Sequence, residues 1–312
     1  MIFLHKYCTV GEESEVLSVK EKRLNIGYLY ALAVGLICGF IPIIIQKVLT
    51  QDPVPRATAL FIKFVVSSII LLPIAAPKFK KVTYPKGFAW KMLICGVLYV
   101  ATLILLYESY RFVPTGIGSA LYYTFPLFTM GISVLFFGFR CNKYNIGAMI
   151  MSLVGTVLLS TGTLSSDNSY IGILLAIGSA VAYAFCLLWT EHQRLAAMDT
   201  TVVVTLKTCV SAALFFVYVL VTDQLTFSIS LETFLGLALS GVGTILASVF
   251  LNLAIRHIGS VHTSILSSVE LIVCAVAGYF VLDELISLRS GLGIVVIMGA
   301  TVLVALSKKD KK

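Results

Sequence analysis

The sequence predicts an all-α integral membrane protein of ten transmembrane helices arranged as two inverted five-helix repeats, and three observations carry that prediction. The first is composition: of 312 residues, 59% are hydrophobic and 12% charged, where an average soluble domain is about a quarter charged. The mean hydropathy is +0.99. The second is a succession of apolar runs of about 18 to 24 residues, each long enough to cross about 30 Å of hydrocarbon as a helix. The third is self-similarity at a period near 145 residues, which identifies a chain built from two copies of one unit.

Residues 1–25 are mixed and charged ("GEESEVLSVKEKR"). They lack an apolar core before a small-residue cleavage site, so the first span is expected to stay in the mature protein. The spans follow at 26–48, 56–76, 88–110, 115–137 and 143–161, then at 169–190, 200–221, 232–254, 261–282 and 287–306. The organisation predicted is a cytoplasmic segment 1–25, a first repeat 26–161, a second repeat 169–306 and a basic cytoplasmic tail 307–312.

Of the 23 Lys and Arg residues, 17 fall in the amino-terminal segment, the second and fourth loops, at Arg194 and Arg256, and in the tail. Only Lys47, Arg56, Arg111 and Arg289 lie on the other side, with Lys63 and Lys207 inside spans. This asymmetry puts both termini in the cytoplasm. It also accounts for the net charge of +8 by topology, so no nucleic-acid partner is expected. The tail "KKDKK" has Asp310 where a dilysine retrieval signal needs Lys, which favours the plasma membrane (a cell inner membrane) over the endoplasmic reticulum. The seven cysteines contain no C-x-x-C pair and read as packing residues rather than a disulfide framework or metal site.

A shift of 145 lays Ile26-Gly27 on Ile171-Gly172, Phe40 on Phe185, Gly96 on Gly241 and Arg111 on Arg256; a shift of 144 lays Lys63 on Lys207, and Gly147 with Gly155 on Gly291 with Gly299. Five spans per half is an odd number, so the second half enters the membrane in the opposite sense. Inverted repeats are a recurring design of secondary transporters, which bind substrate at the repeat interface and alternate access by rocking. The segment "SILSSVELIVCAVAGYFVLDELISLRSGLGIVVIMGATVL" carries Glu270, Glu284, Gly291 and Gly299. With the ten spans, it makes residues 26–306 similar to the drug/metabolite transporter superfamily, specifically its EamA-type members. The resemblance implies the ten-span fold and transport. The chain departs from the family pattern at Leu271, where Pro commonly follows the acid. It departs again in the first half, which keeps Pro126 but has Phe125 for the acid and "FFGFRCNKYN" where a second acid would stand.

A carboxylate amid hydrocarbon costs about 2.5 kcal/mol or more, and such residues face a protein interior or watery cavity. Glu270 is therefore the leading candidate for a substrate site. Thr263, Ser267, Glu270 and Cys274 share one helical face. Span 8 adds Thr244, Ser248 and Asn252, and span 6 adds Tyr183, Cys186 and Thr190. The repeat shift carries the two stripes onto Tyr122 and Phe125 in span 4 and onto Cys95, Tyr99 and Tyr107 in span 3, an aromatic wall. Pro126 is expected to kink span 4. Trp189 is read as an interfacial-belt or pathway residue. Lys63 and Lys207 lie about seven residues from span ends and are expected to snorkel, with a pathway role or pairing with Glu270 as the alternative. Glu108 with Arg111 and Glu191 with Arg194 are read as i, i+3 pairs. His257 is placed in the loop before span 9, and His262 at the start of that span, as interfacial histidines.

No H-E-x-x-H, G-x-S-x-G or phosphate-binding glycine loop appears, so neither an enzyme nor a cofactor or metal is expected. Rings beside a carboxylate suit an ammonium group. The function expected is export of a small amino-bearing metabolite, an amino acid or amine, through the lipid bilayer. The alternatives are a carrier of anionic metabolites (sugar phosphate or nucleotide sugar) and a non-transporting receptor. A monomer is compatible with all three.

Overall fold

The computed structural model describes residues 24–45, 47–48, 52, 54–113, 115–159, 169–226, 229–282 and 288–307. Among the described residues there is no strand. The helices are α1 (Leu24–Ile45), α2 (Arg56–Phe79), α3 (Phe88–Ser109), α4 (Thr115–Tyr122), α5 (Phe125–Phe137), α6 (Lys143–Leu159), α7 (Ser169–His192), α8 (Thr200–Val221), α9 (Leu231–Ser267), α10 (Val269–Leu282) and α11 (Leu288–Ser307). Seven segments are long and apolar enough to cross a membrane: α1, α2, α3, the α4–α5 stretch from Ile117, α7, α8 and one run from Leu231 to Val281. Lys143–Leu158 and Gly291–Ala300 are shorter apolar helices.

Three features differ from the expected spans. The loop between spans 8 and 9 is replaced by a single residue, Gly259, at φ 78° and ψ 166°. Glycine alone takes that conformation without strain, so α9 runs across the junction and His257 is helical. Span 9 is broken at Ser268, and span 4 is broken at Tyr123–Thr124. The breaks are equivalent: α4 ends at Tyr122 and α9 at Ser267, 145 residues apart. Pro126 is thus no kink within a helix. It sits at the start of α5, where its missing N–H costs nothing.

Two helices pack on their own counterparts, α2 on α8 and α6 on α11. Lys78 near the end of α2 donates to Thr201 at the start of α8 (2.6 Å) and approaches Asp199 at 3.7 Å. At the other end the Thr58 hydroxyl donates to the Gln224 carbonyl. Gly147 faces Leu303, Gly155 faces Ile297, and Arg289 donates to the Val157 carbonyl at 3.0 Å. Both counterpart pairs are therefore antiparallel.

The first helix of each repeat packs on the opposite repeat. A Cβ on Gly27 of α1 would stand 2.6 Å from Ile258, and one on Gly172 of α7 would stand 2.8 Å from Val113. The fold so consists of two interlocked units, α1 with α9–α10 and α7 with α3–α5.

Candidate functional site

A narrow cavity, with room for water-sized groups, opens where α3, α7, α8 and α9 meet; Tyr99, Tyr183, Thr190, Lys207, Ser248 and Asn252 line it. Lys207 corrects the snorkelling expectation: it is 9% exposed, and Lys63 is 5% exposed. Distance along a helix gives the reach of a lysine but not its direction, and here the Lys207 side chain turns into the cavity. The Lys207 ammonium donates to Ser248 Oγ at 3.4 Å and sits 4.5 Å from the centroid of the Tyr99 ring, a cation–π geometry. Lys63 lies 4.9 Å from the Phe64 ring. Thr200 donates to the Asn252 side-chain oxygen at 3.3 Å.

Glu270 stands in the first turn of α10, directly after the break at Ser268. A half-helix amino terminus offers unsatisfied N–H groups and a partial positive charge, a favourable place for a carboxylate. The Tyr123 hydroxyl lies beside the Glu270 carboxylate. Glu270 is half-buried and lies outside the lining of the cavity. Cys38, Tyr99, Tyr107, Tyr122 and Tyr183 lie within its electrostatic reach. Tyr183 packs edge-on to Phe125 at 4.8 Å and against Tyr122 at 5.7 Å, so the carboxylate looks onto an aromatic cluster.

Gly35 and Gly39 hold α1 against this break. A Cβ on Gly35 would lie 3.0 Å from Glu270 N, and one on Gly39 would lie 2.8 Å from Glu270 O and 2.5 Å from Val273 Cβ. Only bare backbone fits there.

The other expected residues divide. The Thr244, Thr263 and Ser267 hydroxyls donate to carbonyls of their own helix, Ser240, Gly259 and Thr263, at 2.9, 2.7 and 2.7 Å. They are buried and lie outside the cavity lining. Tyr107 packs with Phe64 and Phe215. Trp189 donates from its indole nitrogen to the Lys91 carbonyl at 3.0 Å. Glu108 pairs with Arg111 at 2.9 Å and accepts from Tyr218 at 2.8 Å.

The Glu191–Arg194 pair is corrected. Arg194 turns left-handed at φ 57° in the turn after α7, while Glu191 accepts from Ser260 N at 2.8 Å and from the Ser260 hydroxyl. Glu284 and the basic tail lie outside the described residues. Sequence reasoning missed Tyr123 and Glu191. The signal for Tyr123 was the repeat shift itself, which places it opposite Ser268, two residues before the acid.

The EamA-like transporter family model matches the chain twice, over residues 25–161 and 170–306. A curated protein of Synechocystis sp., described as an uncharacterized transporter, is 30% identical over 97 residues, 30% of this chain and 30% of that protein; the match thus spans under a third of that relative's length. A solved crystal structure superposes with a TM-score of 0.78 at 16% identity, covering 92% of this chain and 98% of its own, a likeness that establishes the fold. Matched over both helical repeats, this multi-pass membrane protein belongs to the EamA-like transporter family.

Proposed function

We propose that the protein is a ten-crossing secondary transporter that exports a small amino-bearing metabolite, best fitted by an amino acid, by alternating access across the plasma membrane. Ten crossings follow if the run from Leu231 to Val281 counts as two helices divided at Gly259 and the shorter α6 and α11 also cross. The antiparallel counterpart pairs support inversion of the halves. The Lys and Arg distribution supports cytoplasmic termini.

One observation carries the substrate class. Lys207 lines the cavity and Glu270, outside that lining, lies within electrostatic reach of Tyr99 and Tyr183 on its wall, and among the described residues no ion pair within 4.0 Å joins the two charges. An amino acid satisfies both charges, its ammonium on Glu270 and the tyrosine rings, its carboxylate on Lys207 and Ser248. Glu270 is equally placed to carry a proton that competes with the ammonium. The space is too narrow for a metabolite as it stands, so the walls must part to admit one, as alternating access demands.

A second reading, a carrier of anionic metabolites, is favoured by the burial of both Lys63 and Lys207. A radiolabelled panel in proteoliposomes separates the two. Movement of amino acids and amines supports the first, and movement confined to anions replaces it with the second.

A further inference from the structure

We propose that the Glu191 carboxylate is a latch that shuts one mouth of the cavity by tying the two interlocked units together, and that it must release before solute can pass there. The inference rests on the transport reading for its purpose and on contacts alone for its geometry.

Glu191 belongs to the unit built on α7. Within that unit Ser179 of α7 donates to the Thr102 carbonyl of α3 at 2.7 Å, and Tyr183 packs on Phe125 of α5. Ser260 belongs to the other unit, whose α1 touches His257, Ile258 and Glu270. The Glu191–Ser260 contact crosses from one to the other.

A helix that starts after a non-helical residue exposes unsatisfied N–H groups. Ordinarily a side chain at its own first position caps them. Here the segment beginning at Ser260 is capped from another helix: the same carboxylate oxygen of Glu191 accepts from Ser260 N at 2.8 Å and from the Ser260 hydroxyl. Gly259 makes the approach feasible, since a Cβ there would stand 3.0 Å from Glu191 Oε1. A carboxylate at a helix amino terminus gains from the helix dipole and from charge-assisted bonds, which makes the contact strong for its size and still separable, because nothing covalent spans it.

The latch lies at the rim. Thr190 beside it and Asn252 line the cavity, as do Leu187 and Ile255, which share an apolar cluster with Ala196. Glu191 corresponds under the 145-residue shift to Gln46, so the charge is present in one repeat only. That asymmetry biases the resting protein toward closure at the α7 end.

Native Cys186, on the cavity wall at 4% exposure, is the reporter. The full-length protein is reconstituted in vesicles of each orientation and treated with a charged, membrane-impermeant methanethiosulfonate, and the Cys186 peptide is quantified by mass spectrometry. Glu191→Gln keeps the shape and removes the charge, and charge-assisted bonds are about twice as strong as neutral ones. Labelling from the face bearing the α7 carboxy terminus is expected to rise about fivefold, with the melting temperature held. Unchanged labelling in a variant as stable as wild type overturns the latch. As a second variant, Glu191→Cys with Ser260→Cys, crosslinked by copper phenanthroline, is expected to block labelling from that face and stop transport until dithiothreitol is added. Crosslinked protein that still labels or still transports also overturns it. A labelling shift in protein that moves no solute supports the latch and counts against the transport reading alone.

Discussion

The Tyr123 hydroxyl lies beside the Glu270 carboxylate where two broken helices, one from each repeat, come together. Tyr123 lies at the α4–α5 break and Glu270 just past the α9–α10 break. The pair therefore brings the two halves together through residues that do not correspond under the repeat.

Removing that hydroxyl is expected to couple to the acid. An unmet partner of a buried charged group costs about 1 to 3 kcal/mol. Tyr123→Phe should therefore weaken transport of an amino substrate about tenfold, the equivalent of 1.4 kcal/mol. Glu270→Gln should abolish its pH dependence, and the double variant should be no worse than Glu270→Gln alone. Strictly additive losses in transport assays would show that the two side chains act independently.

Two glycines should respond oppositely to a methyl group. Gly39→Ala forces contacts of 2.5 Å to Val273 Cβ and 2.8 Å to Glu270 O, and overpacking of this kind costs about 1 to 3 kcal/mol. Gly291→Ala in α11 meets nothing within 4 Å and should be neutral or gain up to about 1 kcal/mol from helix propensity. Thermal unfolding in detergent checks both; a Gly39→Ala protein as stable as wild type would contradict the close packing of α1.

Lys207→Met keeps length and removes the ammonium. Because a buried charge is expensive, the variant should fold and melt no lower than wild type, yet lose transport of carboxylate-bearing solutes while retaining simple amines. Equal losses for both solute classes would refute the carboxylate role of Lys207.

Asp52, in the α1–α2 connection, accepts from the Ser230 backbone N–H at 3.0 Å. That bond, with weaker ones from the Thr233 and Ser230 hydroxyls, holds its carboxyl below the usual carboxylate range. A depressed folded-state pKa contributes stability above the unfolded value, near pH 4, which is lost as pH falls through the folded value. Acid unfolding curves below about pH 4 should therefore be shallower for Asp52→Asn than for wild type. Superimposable curves would leave Asp52 without a part in this region's stability.

The topology rests on the 17 to 4 division of loop Lys and Arg. Reporter fusions after Ser166 and after Lys312 should read out on opposite sides of the membrane. The same side for both would sink the ten-crossing arrangement.

Hydropathy and the 145-residue shift made the helices and their duplication legible, because a bilayer demands long apolar runs and a duplicated unit keeps its landmarks. The breaks were not legible. Glycine is common in membrane helices, so Gly259 carried no sign that it would replace a loop. Ser268 interrupts its helix without a proline. Periodicity argued straight across Ser268 then put Thr263 and Ser267 on the face of Glu270, whereas their hydroxyls bond their own helix. The same reasoning chose Tyr122 over Tyr123. Lys207 and Glu191 were misplaced for a related reason: their partners, Ser248 and Ser260, come from distant helices, and local spacing offered Arg194 and the interface instead.

The packing of α1 on Ile258, Glu270 and Val273 has a consequence for biogenesis. The glycine face of the earliest helix finds its partner only when the penultimate helix has been made, so most of the chain is inserted before the first surface is covered. Such long-range pairing slows folding, and the uncovered face is open to wrong partners while it waits. Expressed separately, each half should be stable only beside the other, and co-expression of the two halves should restore the folded protein.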